Sequence, residues 1–145
     1  MTAKEYLMQI KDVRTVVRSE CERLANMKEM AMNLGTKELK KDKVQTSVKN
    51  AGLEEPVGNY VDYERKVQKQ IEEYIELEDR IVSEIYSLNC SVKIKQILCF
   101  KYIHCLTIRD IANQMGYSTD WVKHLHGQGL GVFENQYKEK LNDSL

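Results

Sequence analysis

Apolar positions recur at helical spacing along most of this chain. From Tyr6 to Ala31 they fall at Tyr6, Ile10, Val13, Val17, Cys21, Leu24, Met27 and Ala31. Steps of three and four put all of them on one stripe of a long helix, about residues 3–32. A second stripe reads Tyr60, Val67, Ile71, Tyr74, Ile81, Ile85 and Leu88, on a helix of about residues 59–89. Glu64 and Glu78 interrupt it. An unpaired carboxylate is costly in an apolar seam, so these two belong at its margin or opposite a Lys or Arg of the first helix. Neither helix is stable alone without burying its stripe. The economical arrangements are an antiparallel hairpin and a coiled-coil dimer, and the thin core of a single helix pair favours the dimer.

Between the stripes, NLGTKELKKDKVQTSVKNAGLEEPVGN has Gly35, Gly52, Pro56 and Gly58, many charges and no sustained period. This predicts a flexible, protease-sensitive connector over about residues 33–58.

After Asn89 the pattern shortens. Val92, Ile94, Ile97, Leu98, Phe100 and Ile103 mark a helix from about Ser91 to Ile103. Leu106–Met115 marks a second and Tyr117 onward a third. The joining turns are very short, so the helices must cross steeply over a common core. The fold expected is all-α: a helical arm, residues 1–90, followed by a helix-turn-helix domain, residues 91–145.

The second of these short helices has a full set of start signals. Thr107 is placed as N-cap, Asp110 as the third helical residue, and Leu106 with Ile111 as a hydrophobic staple. Ser118 caps the third helix, with Tyr117 and Val122 as its staple. Gly116 is placed to take the left-handed conformation that ends a helix. Ile108, Ile111, Ala112, Gly116, Val122 and Leu125 form the expected core of this corner. The succession of a small Ala, a Gly turn and buried aliphatics on the next helix is the sequence form of a helix-turn-helix. With Val122 and Leu125 inward, Thr119, Asp120, Lys123, His124 and His126 face outward. The glycines of GQGLG predict that this helix frays or breaks after His126, since each costs about 1 kcal/mol against Ala.

Composition alters this picture only through its distribution. Lys+Arg and Asp+Glu number 22 each, so total charge names no partner. Residues 59–90 are acidic, with eight carboxylates against four cations. Residues 91–133 are basic, with Lys93, Lys95, Lys101, Arg109 and Lys123 against Asp110 and Asp120, and they hold all three histidines. A basic unit after an acidic helix favours a polyanionic partner for the corner. No apolar run is long enough to span a membrane, and MTAKEYLMQIKDV has no signal-peptide core. Four cysteines without CxxC spacing fit a reducing cytoplasm.

LCFKYIHCLTIRDIANQMGYSTDWVKHLHGQGLGVFE resembles region 4 of bacterial sigma factors. The residues that carry the likeness are Leu98, Lys101, Tyr102, Ile103, Ile111, Ala112, Gly116, Ser118, Val122 and Lys123. The whole chain resembles small sigma-region-4-like proteins encoded by phages of Gram-positive bacteria, several of which are regarded as late-gene transcription regulators. The specific likeness covers about a third of the chain, and has no counterpart of the sigma regions that melt promoters and hold the polymerase core. It departs at Gly127, Gly129 and Gly131, where the family tends to have Ala and basic residues. It implies a DNA-binding transcriptional regulator in the cytoplasm of a bacterial host. Double-stranded promoter or operator DNA is the implied partner, with RNA polymerase and a second copy of the chain as further ones. The DNA-binding residues expected are Ser118 as cap, Thr119, Asp120, Lys123 and His124 on the reading helix, and Arg109 and Lys101 toward phosphates.

Other readings are weaker. Cys99, His104, Cys105, His124 and His126 match no usual zinc spacing, so no metal is expected. The acidic run Glu72, Glu73, Glu76, Glu78 and Asp79 reads as a solvated helix face, so neither an enzyme nor a cofactor is expected. Trp121 is expected to pack against the preceding helix. The rival function is a non-enzymatic helical interaction or assembly protein that docks on a host or phage protein.

Overall fold

A computed structural model describes the backbone of residues 1–41 and 50–144, and the side chains of residues 1–33 and 60–144. The described residues are all-α, without strands. The elements are α1 (Ala3–Lys41), α2 (Asn50–Tyr86), α3 (Val92–Leu98), a π-helical turn (Cys99–Ile103), α4 (Ile108–Met115), α5 (Thr119–Gln136) and α6 (Lys138–Asp143). The expected connector is thereby narrowed. Residues 33–41 and 50–58 are helical, Pro56 included, and residues 42–49 lie outside the described residues.

The chain divides into two compact units. One comprises residues 1–14 and 74–145; the other comprises residues 15–73. This differs from a division at residue 90. The reason is one continuous buried cluster that takes Ala3, Tyr6, Leu7 and Ile10 from α1, and Ile81, Ile85 and Leu88 after them. It joins these to Ile94, Ile97, Leu98, Tyr102, Ile111, Ala112, Val122, Leu125, Phe133 and Leu141. Short helices crossing at a corner bury little among themselves, so the two long helices complete their core.

Within this first unit α1 and α2 run antiparallel, with Tyr6 against Glu84 and Arg14 against Tyr74 and Glu78. Tyr6 also lies 5.8 Å from Phe133, centroid to centroid. Glu84 is buried, and its Oε1 accepts from the Tyr6 hydroxyl at 3.2 Å and from the Lys140 ammonium. Arg14 ties the unit together. Its Nε donates to the Tyr74 hydroxyl at 2.7 Å, and its other nitrogens donate to the Ile103 carbonyl and to Cys105 Sγ. The Ile103 carbonyl ends the π-helical turn, where a carbonyl has no partner within its own helix. Cys105 just beyond has φ 55°, the left-handed conformation that turns the chain toward α4.

In the second unit α1 and α2 are again antiparallel. Lys28 Nζ bonds Glu64 Oε1 at 2.9 Å, and Arg23 lies over the Tyr63 ring at 5.3 Å. Both carboxylates on the second stripe thus meet a cation of the first helix, Glu64 with Lys28 and Glu78 with Arg14 at 3.8 Å. Burial in this unit is sparse: among its described side chains only Val67 is fully buried.

Candidate nucleic-acid interface

The corner between α4 and α5 is built by local chemistry. Thr107 is extended, and its hydroxyl accepts from the Asp110 amide at 3.2 Å. Ser118 repeats this for α5, accepting from the Trp121 amide at 3.2 Å. Each satisfies one of the amides that the first turn of a helix leaves unpaired. Gly116 ends α4 at φ 70° and ψ 30°, and the Tyr117 amide closes the turn on the Ala112 carbonyl at 3.0 Å. A side chain at Gly116 would strain the left-handed backbone.

Ile111, Ala112, Val122 and Leu125 are buried where α4 and α5 meet, and Ile108 is half-buried against the same cluster. Ala112 is small enough to let the helices cross closely. The inward turn of Val122 and Leu125 sends Thr119, Asp120, Lys123 and His124 outward, all exposed together with the cap Ser118. Arg109 on α4 is exposed as well. Lys101 is half-buried in the π-helical turn.

Three expectations are corrected here. First, α5 does not break after His126; it runs through Gly127, Gly129 and Gly131 to Gln136. Gly129 is needed in the packing, because a Cβ there would meet Ile94 Cγ2 at 2.8 Å and Leu98 at 3.2 Å. Close approach of α3 and the burial of Phe133 outweigh the helix propensity lost at three glycines. Second, His126 does not face outward. It is half-buried, its Nε2 lies 2.8 Å from the Tyr102 hydroxyl, and the two rings stack at 5.6 Å. Burial, and then the charges of Lys101 and Lys4, hold its pKa below the ordinary histidine value. Burial also pushes the Tyr102 phenol up to about 12. A neutral imidazole can then present Nε2 to a phenol that keeps its proton. Third, Trp121 does not pack against α4. It is 48% exposed and stacks on His124, with ring centroids 5.4 Å apart. Val122 takes the seam, and Trp121 stands about 100° further round the helix. Gln128 Nε2 lies 3.2 Å from His124 Nε2, extending this row along the exposed side of α5.

One cation of the corner was not picked out by the sequence reading. Lys93, at the start of α3, is exposed and lies 5.6 Å over the ring of Tyr117 in the turn. Its hydrogen bond with that phenol raises its pKa. The local signal was only a Lys in a basic segment; its position on the turn depends on the fold. Lys93 over the turn, Lys123 on α5 and Arg109 on α4 are exposed cations of this corner. The N-terminus of α5 adds the positive pole of the helix.

Among the described residues, no three His, Cys, Asp or Glu side chains come together to hold a metal. Cys99 is buried and Cys90 half-buried as free thiols, and burial raises the pKa of both. No described helix is long and apolar enough to cross a membrane. No family model, no curated protein and no solved structure matches the chain.

Proposed function

We propose that the α4–α5 corner is a helix-turn-helix that binds double-stranded DNA, and that the protein regulates transcription in the manner of a sigma-region-4-like phage regulator. The observation that carries this reading is the capped N-terminal turn of α5. There Thr119, Asp120, Lys123 and His124 are exposed, with Lys93 over Tyr117 in the adjoining turn, while Val122 and Leu125 are buried behind them. Helix-turn-helix proteins read base edges with that end of the second helix. In this reading Lys123 bonds a phosphate or a guanine, Thr119 and Asp120 meet base edges, and the Ser118 cap sets the helix end. Asp120 can accept from a cytosine amino group, and it repels phosphate. Arg109 and Lys93 position the protein on the backbone without reading sequence.

Binding to random duplex DNA across a salt series tests this. Affinity should fall steeply as salt rises. Lys123→Ala should keep the fold, since the side chain is exposed. If Lys123 meets phosphate, the variant should weaken binding to all sequences and reduce the salt slope by about one. If it reads guanine, the loss should be about 1–3 kcal/mol at one base position. The rival is a helical assembly protein that docks on another protein. Undetectable DNA binding at every salt concentration would favour it over the DNA reading, and parental binding by a folded Thr119→Ala, Asp120→Ala, Lys123→Ala triple variant would show that α5 is not the reader.

A further inference from the structure

The second unit, residues 15–73, carries a side that its own two helices do not cover. On α1, Val16, Glu20, Arg23, Met27 and Met30 follow one another at steps of four, three, four and three. That is the spacing of a coiled-coil seam, and it runs beside the stripe that faces α2, sharing only the half-buried Met27 with it. Val16 is 55% exposed and Met30 63%. On α2, Tyr63, Lys66, Gln70 and Glu73 follow the same spacing. The two rows lie on one side of the hairpin, because Arg23 and Lys66 both sit over the Tyr63 ring, at 5.3 and 6.0 Å.

The charges along the rows are ordered as well. Glu20 and Glu73 lie toward one end, and Arg23 and Lys66 toward the other. A surface with an acidic half and a basic half is complementary to itself after a half-turn.

We propose that this face binds a second copy of the chain, the two hairpins packing antiparallel about a two-fold axis. The axis passes between Glu20 and Arg23 on α1 and between Lys66 and Glu73 on α2. Glu20 then meets Arg23 of the second copy, Glu73 meets its Lys66, and Val16 meets its Met27. The pairing covers Val16 and sets each of these four charged residues against one of opposite sign. It needs nothing from the α4–α5 corner, so it stands or falls apart from DNA binding.

Sedimentation equilibrium of the full chain over a concentration series tests the pairing, with three proteins compared. The parent should associate to a dimer. An acidic variant, Arg23→Glu with Lys66→Glu, should repel itself and dimerise at least tenfold more weakly. A basic variant, Glu20→Lys with Glu73→Lys, should do the same. An equimolar mixture of the two should recover one-to-one association, because each acidic half then meets a basic one. Circular dichroism checks that helicity is retained. If either charge variant loses helix, Val16→Lys replaces it, altering an exposed side chain that meets Met27 of the second copy, and should weaken the dimer. A parent that stays monomeric throughout, or folded variants that dimerise as the parent does, would overturn the proposal.

Discussion

The two units are made from the same pair of helices, with the same kind of apolar stripe, and they bury it very differently. In residues 1–14 and 74–145 the stripe positions Tyr6, Ile10, Ile81 and Ile85 are fully enclosed. In residues 15–73 the stripe positions Val17, Cys21, Leu24, Met27, Tyr60 and Ile71 are half-buried, and Val67 alone is enclosed. Residue type does not explain this, since both units draw on Val, Ile, Leu and Tyr. The difference is a third layer. α3, α5 and α6 cover the first pair of helix segments, whereas two cylinders touching along one line enclose few side chains between them.

The comparison breaks most sharply under a charge placed at the enclosed end. Val122 is 0% exposed, and Val122→Asp should cost the first unit at least ~3 kcal/mol, because the carboxylate has no partner there. Thermal melting followed by circular dichroism should lose the transition of that unit. Val61→Asp, at a side chain 38% exposed in the second unit and off the seam, should leave the melt nearly unchanged. Equal effects would mean that the two units do not differ in enclosure.

Ion pairs sharpen the contrast. Lys140 meets Glu84 at a carboxylate whose side chain is 10% exposed, while Lys28 and Glu64 are 41% and 45% exposed. Lys140→Ala leaves a buried carboxylate bonded only to Tyr6, and should cost about 2 kcal/mol. Lys28→Ala should cost under ~1 kcal/mol, and its effect should shrink further in high salt. Chemical denaturation at two ionic strengths separates the two cases.

The glycines of α5 provide a finer probe within the first unit. Gly127→Ala and Gly131→Ala meet no atom within 4 Å, so each should stabilise by up to about 1 kcal/mol through helix propensity. Gly129→Ala forces Ile94 and Leu98 to move, and should destabilise by about 1 kcal/mol despite the same propensity gain. Stabilisation at all three positions would mean that α3 yields without cost.

The smallest effect expected is a pH dependence confined to the first unit. The folded pKa of His126 is depressed by burial, so the unfolded chain binds more protons near its ordinary value. Stability contributed by the neutral ring is therefore present above about pH 6.5 and lost as pH falls below it. Between pH 7.5 and 5.5 the parent should lose more stability than His126→Gln. Identical slopes in the two proteins would remove His126 as the cause.

Much of this was legible in the chain itself. Both long helices, the caps Thr107 and Ser118, the left-handed Gly116, the buried Val122 and Leu125, and the pairing of Glu64 and Glu78 with cations of the first helix all follow from local rules. Period, cap chemistry and backbone sterics act within one or two turns, or between two stripes, and their signals lie a few residues apart. The outward turn of Thr119, Asp120, Lys123 and His124 followed from the same periodicity.

What the tertiary structure decided depends on neighbours distant in sequence. Leu125, Gly129 and Phe133 are spaced by four, a stripe that continues through GQGLG. Its continuation was outweighed in the sequence reading by the helix penalty of glycine, and α3 reverses that balance by packing against the bare backbone at Gly129. His126 turned inward because Tyr102, 24 residues earlier, supplies a hydroxyl and a ring face. Arg14 became the cap of a carbonyl 89 residues away. Local free energies are a few tenths to about 1 kcal/mol per residue, whereas enclosing a large side chain contributes about 1.5–3 kcal/mol. The chain alone therefore determines which segments become helices. Which of them stay intact through glycines, and which stripe is covered, is set by the layer that packs on top.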